Sequence, residues 1–502
     1  MRPKLLLLFA LGLITLGLVA PVSALASTHY IRPNVTETSS KMWSVVGAPS
    51  FWEALDDETT EFETPSSSDY IQETAGSEEA RVGFGTINLL GVSVTKAQIW
   101  YYSVNSQPFE VRSSLDLTWQ LSNSAGWHSL SQTISNQTAL NELVVRFRTT
   151  NSTATPRQVR AAFLKLETNG PRIYWGAWMD GDVYTLGQGD APWTSATWNS
   201  FETHAGKKVS IVHFGQPAPW QQSFQSGPLE LTRAGNTPAI PSDGALPLMD
   251  MGTGCRIGKT CVAGETVAQE EENRASLTEI KEGKYDSYYK AWAEEVAAYK
   301  YPLFFRWAWE MNGSWFKWGR DAAKNPADYV DAWRHIHNIA VAAGATNLTW
   351  VWCPNVNFLG SAPIGPLYPG DAYVDWTCLD GYNEGNVHFT DVFGTSYSAL
   401  TGSVAPSKPV MIGETASTNG AGHFSHSEWF REALRSLPVS FPKVKAFVWF
   451  NWNIVEKGQE WEWPIETTSS GQKVFAEEIA SPYFAGSEFG EPSLLQPIQP
   501  LS

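Results

Sequence analysis

The sequence has few cysteines and few basic side chains. Its 502 residues include four cysteines, too few for a disulfide-dense scaffold, so a hydrophobic core must hold the fold. Lysine and arginine total 35 against 51 aspartates and glutamates, a formal charge of −16. This balance argues against nucleic-acid binding, because affinity for phosphate depends on clustered basic side chains. With 43% hydrophobic and 17% charged residues, the chain is neither disordered nor a coiled coil.

Motifs that would indicate metal or phosphate chemistry are also missing. The sequence contains no His-Glu-x-x-His and no Cys₂His₂ spacing, and its nine histidines do not cluster. It also lacks the Gly-x-Ser-x-Gly nucleophile elbow and the glycine-rich phosphate loops. We therefore predict neither a metal site nor a cofactor.

Long apolar runs are absent except at the start of the chain. There, Arg2 and Lys4 precede an apolar run over residues 5–20, and the small residues at 24–26 offer a cleavage site. This pattern predicts a secretory signal peptide over residues 1–26. The run is short for a membrane span of about 20 residues, so we expect an exported protein without a membrane anchor after cleavage.

Tryptophan, in contrast, is abundant. The chain has 24 Trp beside 17 Tyr and 24 Phe, a surplus of the rarest large side chain. A buried indole needs a partner for its N–H, whereas its flat face stacks well on apolar surfaces. Sugar rings present such surfaces, so the abundance of tryptophan indicates a carbohydrate ligand.

The sequence pattern of the region from 27 to 168 is typical of an all-β domain. Apolar and polar residues alternate in stretches such as Ala97–Val104, with Ser/Asn/Thr-rich turns between them. We interpret it as a β-sandwich. Trp100, Trp119 and Trp127 are its candidates for carbohydrate binding, but core packing explains alternating aromatics equally well.

The region from 171 to 485 alternates apolar strands of about six residues with helical patterns, which is what a (β/α)₈ barrel requires. We therefore predict an α/β fold in which a (β/α)₈ barrel follows the sandwich. The tail over 486–502 is Pro-rich, and we expect it to be loose. The eight predicted barrel strands are Ile173–Met179, Val209–Gly215, Leu246–Met251, Leu303–Glu310, Thr349–Asn355, Val374–Asn383, Pro409–Ala416 and Val444–Trp452.

Two glutamates end predicted barrel strands. Glu310 ends the fourth strand and Glu414 lies at the end of the seventh, and the active site of such a barrel lies where its strands end. Glycoside hydrolysis needs a carboxylate pair of this kind, one acting as a proton donor and one as nucleophile or base. Tryptophans around Glu310, namely Trp307, Trp309 and Trp315, would remove solvent and keep its carboxyl protonated.

Four sequence blocks resemble glycoside hydrolase family 26, a clan A family of retaining β-glycanases, and the segments Gly176–Asp182 and Phe201–Gly215 are similar to its opening. The resemblance runs from about Arg172 to Ala485, in the family's order. The four blocks are FFRWAWEMNGSWFKWG (Phe304–Gly319), YPGDAYVDWTCLDGYN (Tyr368–Asn383), PVMIGETAS (Pro409–Ser417) and VKAFVWFNW (Val444–Trp452).

This resemblance implies roles for individual residues. Glu310 would be the acid/base and Glu414 the nucleophile, with Tyr382 hydrogen-bonded to the nucleophile. Trp315 and Trp449 would wall the subsite that holds the cleaved sugar.

Three further residues are candidates for substrate binding, and two tryptophans are candidates for distant subsites. The family usually has His immediately before the acid/base, where this chain has Trp309. Because that His contacts the sugar in mannanases, mixed-linkage glucan stands beside mannan as a predicted substrate. Arg306 would form a structural ion pair or touch the sugar, and His213 would be a subsite contact or a satisfied core residue. Trp178 and Trp220 would form distant subsites or cap the barrel.

The cysteines allow one pairing prediction. Cys255 and Cys261 flank a short loop, and in an exported protein we expect a local disulfide between them. Cys353 and Cys378 lie on consecutive strands and could be bridged or remain buried thiols.

The predicted function is that of a secreted, endo-acting, retaining β-glycanase that cleaves β-1,4-linked polysaccharide by double displacement. Mannan is the leading substrate on family numbers, with β-1,3-1,4-glucan and β-1,3-xylan as alternatives. The alternative from another class is a polysaccharide-binding protein without catalysis. We expect a monomer.

Overall fold

The computed structural model describes residues 27–501 except 32, 34, 39–42, 47, 49–54, 56–64, 66–68, 74–78, 150–154, 187–194, 225–243, 263, 420–423, 457–458, 488 and 490–496. The predicted signal peptide lies outside the described residues. Across the part of the chain that is described, no helix combines the length and the apolar character needed to cross a bilayer.

The N-terminal region is a sandwich of two antiparallel sheets around its own apolar core. One sheet has the order β3-β4-β11-β6-β9, with β1 also paired to β11, and the other has the order β2-β5-β10-β7-β8. Helix α1, Gln137–Asn141, precedes β10. The strands are β1 Ser27–Ile31, β2 Val35–Thr38, β3 Trp43–Val46, β4 Tyr70–Glu73, β5 Glu79–Gly83, β6 Ser93–Ser103, β7 Phe109–Ser113, β8 Gln120–Ser122, β9 Gly126–Gln132, β10 Val144–Arg148 and β11 Arg157–Asn169.

The three candidate tryptophans of the sandwich have packing partners within it. Trp100 stacks on Phe163 with ring centroids 6.2 Å apart, and Trp127 packs on the same ring at 5.3 Å. The ring of Trp119 carries the guanidinium of Arg148 at 4.0 Å from its centroid. Carbohydrate binding by these residues stays a prediction.

Eight parallel strands close into a barrel, so the predicted fold class is confirmed. Consecutive strands pair in chain order, and β19 closes the ring by pairing with β12, which also pairs with β13. The barrel strands are β12 Ile173–Met179, β13 Ile211–Gly215, β14 Leu246–Met251, β15 Leu303–Trp307, β16 Leu348–Trp352, β17 Trp376–Asp380, β18 Val410–Thr415 and β19 Val444–Asn451.

Helices surround the barrel, and the strands are buried on both faces. That explains why the strands are continuous apolar runs in the sequence. Helix α7 begins at Pro326, a residue whose fixed φ suits the first helical position. The helices are α2 Ser195–Ala205, α3 Val267–Asn273, α4 Leu277–Lys281, α5 Asp286–Tyr299, α6 Lys317–Lys324, α7 Pro326–Ala342, α8 Phe389–Ala399, α9 His426–Ser440 and α10 Ser469–Ile479.

Two short elements follow the barrel strands. The hairpin of β20, Asn453–Glu456, and β21, Gln459–Glu462, comes directly after β19. Strand β22, Phe484–Ala485, pairs with the start of β12.

The described part of the C-terminal tail is packed, contrary to the expectation that it is loose. Ile498 is fully buried in the cluster that fills the barrel interior. Its carbonyl accepts the indole hydrogen of Trp376 over 2.8 Å, and its N–H donates to the hydroxyl of Thr349 over 2.8 Å. Because Thr349 is the second residue of β16 and Trp376 the first of β17, the tail closes the N-terminal end of the barrel, opposite the mouth.

Candidate active site

Glu310 follows β15 in a strained backbone conformation. Its φ is +51°, and that of Ala308 is +42°. Both lie in the left-handed region, which costs a residue with a Cβ of order 1–3 kcal/mol. The hydrogen bond from the Glu310 N–H to the Cys353 carbonyl, 2.7 Å long, helps to hold the turn. Strain of this kind is typical of sites where geometry is fixed for function.

Glu414 lies on β18, across the barrel mouth from Glu310. One oxygen, Oε1, accepts a hydrogen bond from Nη2 of Arg306, and the other, Oε2, accepts one from the hydroxyl of Tyr382. The ring of Tyr382 is itself stacked on Trp463, with centroids 4.5 Å apart and planes 11° apart. The Glu414 carboxylate is therefore held by a cation on one side and by a fixed phenol on the other.

Arg306 is the centre of a buried charge network beneath the mouth. Nε and Nη2 donate to the two oxygens of Asp250, over 2.6 and 2.5 Å, and Nη1 donates to Asp380 Oδ2 over 2.6 Å. His213 Nε2 lies 2.8 Å from Asp250 Oδ2. Burial opposes the charge of Arg306, but attraction to Asp250, Asp380 and Glu414 holds its pKa well above the ordinary value.

The carboxyl groups of this network experience different environments. Burial by itself would raise the pKa of Asp250, but Arg306 and His213 lower it below the ordinary range. For Asp380, burial and the charges of neighbouring carboxylates outweigh the attraction of Arg306 and raise its pKa well above the usual value. Both groups reach the network from strand ends, where inward-facing side chains of neighbouring strands meet.

Glu310 is surrounded by neutral donors. The indole N–H of Trp315 donates to Oε2 over 2.7 Å, and the Asn355 amide donates to Oε1 over 2.7 Å. Burial, followed by the negative charge of Glu414, raises the pKa of Glu310 to about 7, and the two hydrogen bonds offset only part of this rise. At neutral pH a substantial fraction of Glu310 is therefore protonated.

The two glutamates are close enough to act on one bond. One carboxylate oxygen from each of Glu310, Asp380 and Glu414 lies within 4.8 Å of the other two. Oxygens at this spacing can hold a metal ion, but the guanidinium of Arg306 already supplies a cation to Asp380 and Glu414.

The structure brings Trp309, Trp315 and Tyr382 to the mouth with the carboxylates. The ring of Trp309 lies over the guanidinium of Arg306, 5.3 Å from centroid to Cζ, and packs on Trp318. Trp315 keeps 42% of its surface exposed although its N–H reaches Glu310.

Arg306 and His213, assigned to substrate binding, lie beneath the mouth with no exposed surface. Of the two roles predicted for Arg306, the ion pair is the one observed. His213 is also buried there, where its Nε2 lies beside the carboxylate of Asp250 and its ring contacts that of Trp178 edge to face. Both therefore contact the carboxylates from below, and neither has surface exposed at the mouth.

Trp449 does not wall the cleft, and neither does Trp307. Trp449 is fully buried against the helix layer, 4.9 Å from Phe430, and donates its N–H to the Trp463 carbonyl. Trp307 packs outward against Trp333. Side chains alternate along a strand, so the neighbours of Trp449 face the interior instead.

Phe450 takes the position that we assigned to Trp449. Its ring lies 6.0 Å from that of Tyr382 and 5.8 Å from that of Trp178, on which it stacks. Trp452 adjoins the same group, 6.5 Å from Trp178. Trp220, by contrast, stacks on Tyr285 of the outer loops at 3.9 Å.

Sequence reasoning overlooked Asn355, Asp250, Phe450 and Trp463. The first two are polar residues at the ends of apolar strands, a signal that was available in the sequence. Phe450 and Trp449 are consecutive residues of β19, so their side chains point to opposite faces of the strand. Trp463 lies beyond the hairpin, where no local pattern indicates a contact with Tyr382.

Two disulfides join the four cysteines. Cys255 pairs with Cys261, as expected. Cys353 pairs with Cys378 across β16 and β17, which resolves the alternative left open by the sequence. The second bridge lies beside Asp380. The carbonyl of Cys353 accepts the hydrogen bond donated by the N–H of Glu310.

The chain is similar in sequence to known glycoside hydrolases. The sequence model described as glycosyl hydrolase family 26 matches residues 279–479. Endoglucanase H of Acetivibrio thermocellus is 36% identical over 220 residues, which are 41% of this chain and 23% of that protein.

More distant similarities extend to two other activities. A mannan endo-1,4-beta-mannosidase of Bacillus subtilis is 29% identical over 153 residues, 29% of this chain and 38% of that protein. The beta-1,3-xylanase TXYA of a Vibrio species is 23% identical over 207 residues, 37% of this chain and 42% of that protein. The chain thus spans less than half the length of each of these three relatives.

Proposed function

We propose that this chain is a glycoside hydrolase of family 26, whose sequence model matches residues 279–479, and that it acts as an endo-acting, retaining β-glycanase with Glu414 as nucleophile and Glu310 as acid/base. The observation that carries the proposal is the pair itself. The two carboxyl groups approach within 4.8 Å, one held by a cation and the other by neutral donors.

In the first step, a Glu414 oxygen attacks the anomeric carbon of the sugar. The bond from that carbon to the glycosidic oxygen breaks, and the leaving oxygen takes the proton of Glu310. Arg306 and Tyr382 hold the Glu414 carboxylate in place. The raised pKa of Glu310 keeps the proton available near neutral pH.

In the second step, the glycosyl ester on Glu414 is hydrolysed. Glu310, now a carboxylate, removes a proton from water, and the water oxygen attacks the anomeric carbon. The ester bond breaks, Glu414 is released as a carboxylate, and Glu310 has regained its proton. After the first step the negative charge of Glu414 is gone, so Glu310 loses one cause of its raised pKa at the step in which it must act as a base.

The short separation of the pair supports retention of configuration. Retaining enzymes have carboxyl groups about 5–5.5 Å apart, whereas inverting enzymes leave about 6.5–9.5 Å for a water molecule. The 4.8 Å limit on the oxygens of Glu310 and Glu414 fits direct attack by a carboxylate.

For the substrate, we propose a β-glucan containing β-1,4 bonds rather than mannan. Trp309 stands immediately before the acid/base, where the mannanases of the family have a His that contacts the sugar. An indole can donate a hydrogen bond but cannot accept one, so Trp309 cannot reproduce every contact of that His. Endoglucanase H, at 36% identity, is also more similar to this chain than the mannan endo-1,4-beta-mannosidase at 29%. Mannan, the substrate favoured on sequence grounds, is the second candidate, and β-1,3-xylan the third.

We also propose that the protein is exported. The basic start, apolar run and small-residue site over residues 1–26 support this, and a polymeric glycan outside the cell is the substrate that the cleft would meet there.

The decisive experiment is hydrolysis of a panel of β-1,3-1,4-glucan, glucomannan, galactomannan and β-1,3-xylan. Reducing-sugar release identifies the backbone, and proton NMR of the first product identifies its anomeric configuration. We expect release from β-1,3-1,4-glucan with a β-configured first product. An α-configured product would contradict the nucleophile assignment, and binding without release would favour a non-catalytic polysaccharide-binding protein.

A further inference from the structure

Three large apolar side chains are exposed together on the Glu310 side of the mouth. Trp315 is 42% exposed, Phe358 is 40% exposed, and Leu359 is fully exposed. The rings of Trp315 and Phe358 lie 5.4 Å apart at an angle of 34°. Single exposed apolar residues are normal, but a contiguous group beside a cleft marks a binding surface.

The loop that carries Phe358 is fixed to the strand end of the acid/base. Asn312, two residues after Glu310, exchanges two hydrogen bonds with Asn355, Nδ2 donating to its carbonyl over 2.8 Å and Oδ1 accepting its N–H over 2.9 Å. The carbonyl of Asn312 accepts the N–H of Ala362 over 2.9 Å. Both ends of the loop are therefore held by one residue, and Phe358 lies between them.

The tip of this loop is a tight turn. The N–H of Ser361 donates to the Phe358 carbonyl over 3.0 Å, and the Ser361 hydroxyl accepts from the Phe358 N–H over 3.2 Å. Gly360, with φ of +97°, takes the third position, where a type II turn needs a positive φ. Because the turn is closed by its own hydrogen bonds, Phe358 stays exposed without loss of order, and binding to it would cost little further entropy.

Trp315 is held equally firmly. Nη1 of Arg320 donates to the carbonyls of Ser314 and Trp315, over 3.0 and 3.3 Å. A Cβ at Gly313 would overlap the Trp315 ring, so glycine there lets the indole lie flat over the backbone. The nitrogen edge of the indole reaches Glu310, and the ring extends from there towards Phe358.

We propose that Phe358 is a substrate-binding residue that, with Trp315, forms an aromatic platform for a sugar ring next to the one that is cleaved. The occupant is one ring of the β-linked glycan, because its apolar face matches two exposed aromatic rings in direct continuity with the catalytic acid. The inference rests on the proposed glycan-cleaving function of the mouth and adds a determinant of chain-length preference to it.

The test measures glycan binding independently of hydrolysis. Titration calorimetry would follow the binding of β-1,3-1,4-gluco-oligosaccharides and manno-oligosaccharides, from disaccharide to hexasaccharide, to Glu310→Gln and to the double variant Glu310→Gln/Phe358→Ala. We expect the double variant to bind the longer oligosaccharides roughly tenfold more weakly, about 1.4 kcal/mol, and the shortest ligand that binds equally well. Phe358→Trp should retain the affinity.

Val341, in the last turn of α7, supplies the control, since it is 57% exposed and its helix ends where the chain enters the barrel end opposite the mouth. Val341→Ala in the same background should bind every oligosaccharide as Glu310→Gln does. If Glu310→Gln and the double variant Glu310→Gln/Phe358→Ala bound oligosaccharides of every length with equal affinity, the platform would be overturned and the proposed function would stand. Failure of Glu310→Gln to bind any glycan would overturn both.

Discussion

Trp315 donates its indole hydrogen to Oε2 of Glu310 over 2.7 Å while almost half of its own surface stays exposed. The second oxygen of Glu310 is held by the neutral amide of Asn355. Glu414, in contrast, faces the guanidinium of Arg306. Neutral donors on one carboxyl and a cation on the other separate the proton donor from the nucleophile.

The pH profile should report the raised pKa of Glu310. The first step requires a protonated Glu310, so kcat/KM should fall as pH rises through about 7, the pKa of that carboxyl. The hydrogen bond from Trp315 lowers this pKa. Trp315→Phe should therefore move the alkaline limb to higher pH, measured as kcat/KM on a soluble glycan. An unmoved limb would show that another group titrates there.

Removing either glutamate should separate the two chemical steps. Glu414→Gln should lose activity on every substrate, on the order of 10³-fold or more. Glu310→Gln should lose on the order of 10²–10⁴-fold on polysaccharide but still release the phenol of an activated aryl glycoside in a burst, because that leaving group needs no proton. Rapid-mixing absorbance measures the burst.

Glu294→Gln is the matched control, since its carboxylate is exposed on the outer helix α5, where it pairs with Lys290. It should hydrolyse glycans at the wild-type rate. Near-wild-type polysaccharide hydrolysis by Glu414→Gln would exclude it as the nucleophile.

Arg306→Met should destabilise the barrel and abolish activity. Removing this cation leaves the carboxylates of Asp250 and Glu414 buried without its charge, which typically costs about 3–5 kcal/mol. Urea unfolding would measure the stability, and glycan hydrolysis the activity of the folded fraction.

Arg157→Met provides the comparison, because Arg157 is a fully buried arginine paired with Glu73 in the sandwich. It should destabilise the protein and leave kcat of the folded enzyme unchanged. If Arg306→Met kept its kcat, the network beneath the mouth would have no role in holding Glu414.

Trp309→His should shift substrate preference towards mannan. An imidazole can accept or donate a hydrogen bond where the indole only donates, so the ratio of kcat/KM on mannan to that on β-1,3-1,4-glucan should rise roughly tenfold. Trp309→Phe keeps an apolar ring and should not raise it. An unchanged ratio in both variants would remove Trp309 from the specificity determinants.

Trp449→Phe should affect stability and not substrate binding. The variant loses packing against the helix layer and the hydrogen bond to the Trp463 carbonyl, a cost of about 1–3 kcal/mol. KM should stay at the wild-type value, whereas Phe450→Ala, at the mouth, should raise it. A raised KM in Trp449→Phe without loss of stability would return this residue to the cleft.

Much of the fold could be predicted from local pattern. Eight apolar segments separated by helical stretches indicate a barrel because strands buried on both faces leave continuous apolar runs. Helix α7 was recognisable from Pro326 at its start. The positions of Glu310 and Glu414 followed from the same pattern, since side chains at the ends of parallel strands meet at one face of the barrel.

The sequence by itself determined the barrel and the carboxylate pair, because strand period and strand ends are properties of a few consecutive residues. Tertiary structure decided which of two adjacent aromatics, Trp449 or Phe450, faces the mouth, since the pattern is apolar on both faces. It also decided that Arg306 gathers carboxylates from three other strands, and that Ile498, nearly 150 residues beyond Thr349, closes the barrel. Contacts between residues far apart in the chain depend on the packing of the whole core, and no local pattern records them.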